Sequence, residues 1–507
     1  MNLREYHDRT KHSVASVNAN RHMLDWANQP LPFKIYSGLE AIPLPRPLRP
    51  SSVPALEAIA ATAPRQPLQT LPDVPTLARL FHLSAGITRT KRYPGGQEMH
   101  FRAAANTGAL YHIDLYLVAG DLPGLPAGVY HFGPHDFALR RLRAGDYRRV
   151  LVDATAGTPA IETAPAVVVC ASTFWRNAWK YQARAYRHAY WDSGTLLANL
   201  LAVAAADGVP ARLVVGFVDG MVNDLLGLDT EREAALVLVA LGDRPELRPP
   251  AAPPRPKLVV STQALSREEV DYPLIRAAHA ASSLRDVAEV RRWQAAASEP
   301  AALPTPSAET IPLRPLQHPP AHSIDDVILR RGSSRRFARA PIAFAQLSTM
   351  VHASTRGVPG DWGAPDHPLA QPYLIVNADE GLAAGTYAAY PGLDGLEPLR
   401  RGDFRREAGF LDLGQELAAD AALDVYMLSD LNRTLGRLGD RGYRAASLEA
   451  AIVGGKLYLA AYALDLGATG LTFFDDDVIR FFSPAADGKD VMFLIAAGVP
   501  ARSARGG

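Results

Sequence analysis

Apolar positions run in the same order twice along this chain. The first half opens with an amphipathic helical spacing from Leu77 to Ala85, followed by a strand pattern from Tyr111 to Val118. A continuous apolar run, Ala166 to Ala171, precedes an Ala- and Leu-rich helix, Gly194 to Ala206, and a strand from Leu236 to Ala240 closes the set. The second half predicts a helix over Phe344 to Ala353, strands over Pro372 to Val376 and Ala422 to Leu428, a helix over Glu449 to Leu464 and a last strand over Met492 to Ala496. Helices and strands follow one another without a strict βαβ rhythm, so the expected fold is α+β, a mixed sheet flanked by helices in two tandem copies.

Residue identities support the duplication. At an offset of 257 residues, Gly128-Val129-Tyr130 recurs as Gly385-Thr386-Tyr387 and the segment Leu142 to Arg149 as Leu399 to Arg406. The same offset carries Tyr186-Arg187 onto Tyr443-Arg444, Phe217 onto Phe474 and Asp219 onto Asp476. A period this long is a repeated domain, since solenoid repeats run at tens of residues. The expected organisation is an extended, Pro-rich arm over 1–75, a first domain over 76–245, a Pro-rich linker with a helical stretch over 246–322, and a second domain over 323–507.

Charge and composition narrow the partners. The 53 basic and 52 acidic side chains leave a net charge of +1, which gives no electrostatic case for nucleic acid or an anionic membrane. A small neutral partner suits the balance better. Cys170, the only cysteine, lies in an apolar run and reads as a buried, inert thiol. Histidine spacing matches no zinc site. The apolar stretch Leu196 to Ala206 is too short for a bilayer and the N-terminus has no apolar signal region, so the expectation is a cytoplasmic protein.

The copies differ where chemistry is expected. The second opens with Arg330-Arg331-Gly332-Ser333-Ser334-Arg335-Arg336-Phe337, whose guanidinium forks and small side chains suit a phosphate. The first has Ala60-Ala61-Thr62-Ala63-Pro64-Arg65-Gln66-Pro67 there. Conversely, the first carries Ala105-Asn106-Thr107-Gly108 before a strand, able to present donors and acceptors to a planar heterocycle or merely to turn. The second has Pro359 to Pro365 in that place. Asp475-Asp476-Asp477 reads as a helix N-terminus, and Tyr186 and Arg187, present in both copies, as scaffold. No Rossmann or Walker pattern is present.

Taken together, His7 to Ser13, Arg102 to Tyr111, Trp179-Lys180-Tyr181, Arg184 to Arg187, Arg330 to Phe337 and Gly467 to Asp475 resemble the nitroreductase superfamily, in its SagB/ThcOx-like dehydrogenase branch. The resemblance implies FMN between two such domains, here fused as an intramolecular pseudo-dimer, with a monomer favoured. By motif, Arg330, Arg331, Ser333 and Arg335 would hold the phosphate, with a late contact from Arg502 or Arg505. Gly470, Leu471, Thr472 and Phe473 would line the flavin ring, and Asn106, Thr107 and Gly108 would come from the first domain. Here the chain departs from the family's Pro-Ser-Ala-Gly loop. Lys180 and Tyr181 are the implied catalytic pair, a lysine activated by burial beside a tyrosine that removes a substrate proton. The other interface seat lacks both binding elements, so one FMN per chain is expected.

The implied reaction is hydride transfer to FMN from a peptide or natural-product intermediate of azoline type, with O2 or NAD(P)H as possible redox partner. Two other readings stand beside it, an NAD(P)H-dependent nitro or quinone reductase and a non-catalytic, flavin-free scaffold.

Overall fold

The computed structural model describes residues 1–93, 95–96, 98–299 and 305–501. Arg502 and Arg505 lie outside the described residues. Each copy builds a seven-stranded sheet. The first runs Ala41–Pro43, Ala138–Ala144, Gly128–Gly133, Ile113–Ala119, Ala166–Thr173, Glu233–Leu241, Ala211–Val214. The second repeats it as Ile311–Pro312, Gly395–Arg401, Gly385–Tyr390, Gln371–Val376, Leu423–Ser429, Asp490–Gly498, Gly467–Gly470. All neighbouring strands in these two sheets pair antiparallel, where a mixed sheet was expected. Segments from the arm and the linker, Ala41–Pro43 and Ile311–Pro312, cover the same edge of each sheet.

Two long helices, Ala185–Ala206 and Arg441–Ala463, carry apolar residues on every side and are buried nearly throughout. They pack on one another at the centre, and one hydrophobic core runs through both copies. Small residues bring the helix backbones together: a methyl on Gly455 would sit 2.7 Å from Ala198 Cβ, and one on Gly194 would overlap Ala451. Gly194 and Ala451 are repeat counterparts, as are Ala198 and Gly455, so these contacts mark a pseudo-twofold axis. Gly194→Leu is therefore expected to lower stability by about 1–3 kcal/mol through overpacking, read as a lower urea midpoint.

The two domains are clamped by ion pairs that cross this axis. Asp475 takes Arg184 at 3.2 Å and Arg187 at 2.6 Å; Asp219 takes Arg441 and Arg444, each at 2.8 Å. These contacts correct the sequence register: the counterpart of Asp219 is Asp475, not Asp476, and that of Phe217 is Phe473, not Phe474. The offset shortens by one residue where the chain leaves the long helix and enters the edge strand.

The arm is not simply extended. Its first residues form a helix, Leu3–Arg9, with Leu3 and Tyr6 wholly buried. Arg187 donates to the His7 carbonyl at 2.5 Å and to Thr10 Oγ1 at 3.0 Å, while His12 N–H donates to Asp475 at 2.7 Å. The linker supplies the twin of this arrangement through the helix Pro273–Ala281: Arg444 donates to the His279 carbonyl at 3.1 Å and to Ser282 Oγ at 2.8 Å, and Leu284 N–H to Asp219 at 2.9 Å. Residues 3–12 and 275–284 correspond at an offset of 272, so the duplicated unit includes the arm.

Candidate functional site

The site grows from the loop between Arg102 and the strand Ile113–Ala119. Asp192, buried on the first long helix, fixes it: Thr107 donates its N–H and hydroxyl to Asp192 at 2.9 and 2.7 Å, and His112 Nε2 lies 2.9 Å from the same carboxylate. Asn177 Nδ2 donates to Thr107 Oγ1 at 2.7 Å. Asn106 turns back on its own loop, its Oδ1 accepting Tyr111 N–H at 2.8 Å. Gly108 has φ 62°, a region that favours glycine, and a Cβ there would stand 2.9 Å from Tyr181 Oη.

The second copy's basic turn meets this loop across the interface. Arg331 donates from Nε to the Ala103 carbonyl at 3.1 Å and from Nη2 to the Arg102 and Ala103 carbonyls at 2.9 and 2.8 Å. Its guanidinium lies over the Tyr458 ring, whose hydroxyl donates to Ser333 Oγ at 2.8 Å. Arg335 is exposed, and Arg330 points away to Asp465 at 3.1 Å.

The segment after the strand Gly467–Gly470 completes the arrangement. Leu471 and Thr472 are half-buried, and Thr472 Oγ1 is buried without a hydrogen-bond partner among the described residues. Phe473 is wholly buried, packed on the Trp191 ring and under Arg184. Its ring braces the segment from behind, so any contact with a cofactor falls to Gly470, Leu471 and Thr472.

Loop and segment belong together by symmetry. In the other copy, the loop residue Trp362 donates to Glu449 at 2.7 Å as Thr107 donates to Asp192, and the residue before it, Asp361, reaches Val215 and Gly216 across the interface. Val215 and Gly216 are the counterparts of Leu471 and Thr472. The pseudo-twofold therefore sets Asn106, Thr107 and Gly108 opposite Leu471 and Thr472.

Lys180 and Tyr181 end the helix Phe174–Tyr181 beside this loop. Tyr181 lies over Gly108, its ring 4.4 Å from that of His188, and burial pushes its phenol well above the usual range. Lys180 is exposed, its ammonium 5.3 Å from the Tyr181 ring, which corrects the expectation of a buried lysine: its side chain leaves the last helical turn toward solvent. His188 is held neutral, first by burial and then by Arg184, and lies 2.9 Å from Asn177 Oδ1.

Sequence reading missed Asp192, His112, Asn177 and His188. A signal existed: Asp192 and Glu449 coincide at the offset of 257, both carboxylates inside apolar helices. Among the described residues no group of three or more His, Cys, Asp or Glu is placed to hold a metal, and no helix is long and apolar enough to cross a membrane.

Comparison with known proteins gives a consistent picture. The model of the nitroreductase family matches residues 67–243 and 328–499. A crystal structure from Anabaena variabilis, described as a nitroreductase, superposes with a TM-score of 0.76 at 27% identity, over 98% of this chain and 99% of that one. A Methanocaldococcus jannaschii protein named as a nitroreductase is 27% identical over 163 residues, 31% of this chain and 82% of its own length. The Escherichia coli microcin B17-processing protein McbC is 30% identical over 152 residues, 27% of this chain; the match spans 52% of McbC.

Proposed function

Because the chain belongs to the nitroreductase family, we propose that it is an FMN-dependent oxidoreductase that dehydrogenates a peptide or natural-product intermediate of azoline type. The observation that carries this reading is the composite site. Arg331 of one copy crosses to the loop of the other, and the pseudo-twofold relates that loop to Leu471 and Thr472 as it relates Asp361 to Val215 and Gly216. The residues fit the cofactor. Arg331, Ser333 and Arg335 offer charged and hydroxyl donors to a phosphate, whereas Arg330 is engaged by Asp465. Thr472 offers a buried hydroxyl without a partner among the described residues to a ring edge, while the Leu471 N–H donates to the Leu494 carbonyl at 3.4 Å.

Bound FMN would supply the two-electron acceptor for the substrate C–H beside nitrogen, with dioxygen as the final acceptor. The chain's own part is binding, orientation and proton removal. We assign the removal of the proton from the neighbouring substrate carbon to Lys180, with Tyr181, a phenol that burial keeps protonated, beside it. The likeness to McbC, named for processing microcin B17, supports a peptide as substrate.

The test is the visible spectrum of the purified protein with the released cofactor identified and counted, followed by oxidation of synthetic thiazoline peptides. One FMN per chain and thiazole formation are expected. Lys180→Ala should slow turnover by about 100-fold or more without changing flavin content. Rapid bleaching by NAD(P)H with no thiazoline oxidation would favour a nitro or quinone reductase. No flavin, even with excess FMN, would sink the oxidoreductase reading.

A further inference from the structure

A pseudo-twofold molecule has two seats, and the second is built differently from the one described. Asp361 stands there where Asn106 stands in the first, each preceding the residue that bonds a carboxylate of a long helix. Asn106 turns back to Tyr111, but Asp361 crosses the interface, its Oδ1 accepting Val215 N–H at 2.9 Å and its Oδ2 Gly216 N–H at 2.8 Å. Trp293, on the helix Val287–Ser298, donates to Asp361 Oδ2 at 3.3 Å and packs so closely that a methyl on Gly216 would overlap its ring.

The corresponding helix of the arm, Val14–Ala19, buries none of its residues. Asp361 itself borders a cavity of about 980 Å³, lined also by Thr62, Ala63, Arg212 and Arg437. Thr62 and Ala63 stand where the first seat has Gly332 and Ser333. A carboxylate can accept from two successive amides through its two oxygens, whereas an asparagine has one acceptor oxygen.

We propose that the chain caps its own second seat at the amides where a flavin edge would bind. The Asp361 carboxylate, held by Trp293, takes the Val215 and Gly216 N–H groups that a flavin edge would meet there, which adds to the missing basic turn a second reason that this seat takes no cofactor. This rests on the flavin reading of the first seat.

The experiment uses the full chain. Asn106→Asp should install the same plug in the first seat: bound flavin falls at least tenfold, and hydrogen–deuterium exchange in 470–474 of flavin-free protein slows relative to the flavin-free parent. An Asn106→Asp protein that keeps one flavin per chain overturns the proposal. Asp361→Ala covers the case in which that variant does not fold. It should leave flavin content unchanged and speed exchange in 213–218; unchanged exchange there overturns the proposal. The exchange arm holds even if the parent binds no flavin, an outcome that would fail the flavin reading separately.

Discussion

Asp219→Ala is expected to lower the stability of the whole chain by about 3–5 kcal/mol, the usual penalty for stripping one partner from a buried ion pair. Arg441 and Arg444 are 2% and 0% exposed, so the substitution leaves two guanidiniums without their carboxylate at the domain interface. His279, nearby, cannot substitute: burial, and then Arg444, push it down to about 3, so it is neutral at physiological pH. Equilibrium urea unfolding is the measurement. A loss under about 1 kcal/mol, the range of exposed pairs, would mean that the clamp does not hold the domains.

The same clamp fixes an acid response. Burial alone would raise the Asp219 carboxyl, but Arg441 and Arg444 outweigh it and hold it at about 2, against roughly 3.9 in an unfolded chain. A depressed carboxyl contributes stability above its unfolded value and loses it as the pH falls through its folded one. The clamp's share should thus be intact at pH 5 and fade between about 4 and 2. Asp475, held down by Arg184 and Arg187 against its own burial, acts in the same direction.

Arg331→Ala should weaken FMN binding by about 10–100-fold, the worth of a charged hydrogen bond to a phosphate. Among the described residues Arg331 is the one arginine of the basic turn that bonds the first copy's loop, so in the proposed site its loss would remove a phosphate donor and loosen Ala103 together. Arg331→Lys keeps the charge but not the fork, and is expected to recover only part of the affinity. Arg330→Ala should matter less, since that side chain is exposed and paired with Asp465. Flavin fluorescence titration separates the three. Equal losses for Arg330→Ala and Arg331→Ala would show that the turn acts as a diffuse positive patch.

Much of this architecture was legible in the chain. The strand run Ala166 to Ala171 lies within Ala166–Thr173, and the helix foreseen from Gly194 is the second half of Ala185–Ala206. The first half was obscured because Tyr186, Arg187, His188 and Asp192 are polar-capable side chains that a helix buries only when residues distant in the chain supply their partners, as Asp475 does for Arg187 and Thr107 for Asp192. The arm's helix was hidden for a like reason: Leu3, Tyr6 and His7 bury against residues more than 170 positions away. Lys180 went the other way, since position in a motif does not say which side of the helix end meets solvent.

What the sequence determined by itself is the set of elements, their duplication and the unequal distribution of arginines and loop residues between the copies. Those are local properties: the period of apolar burial within a helix or strand, and the donors a short segment carries. What only the tertiary structure decided is how the copies meet. The crossing of the long helices, the one-residue slip that makes Asp475 the twin of Asp219, and the reach of Asp361 into the second seat all join residues far apart in the chain. Such pairings are selected by close packing and by the cost of leaving buried charges and amides unpaired, terms that exist only once two surfaces are in contact.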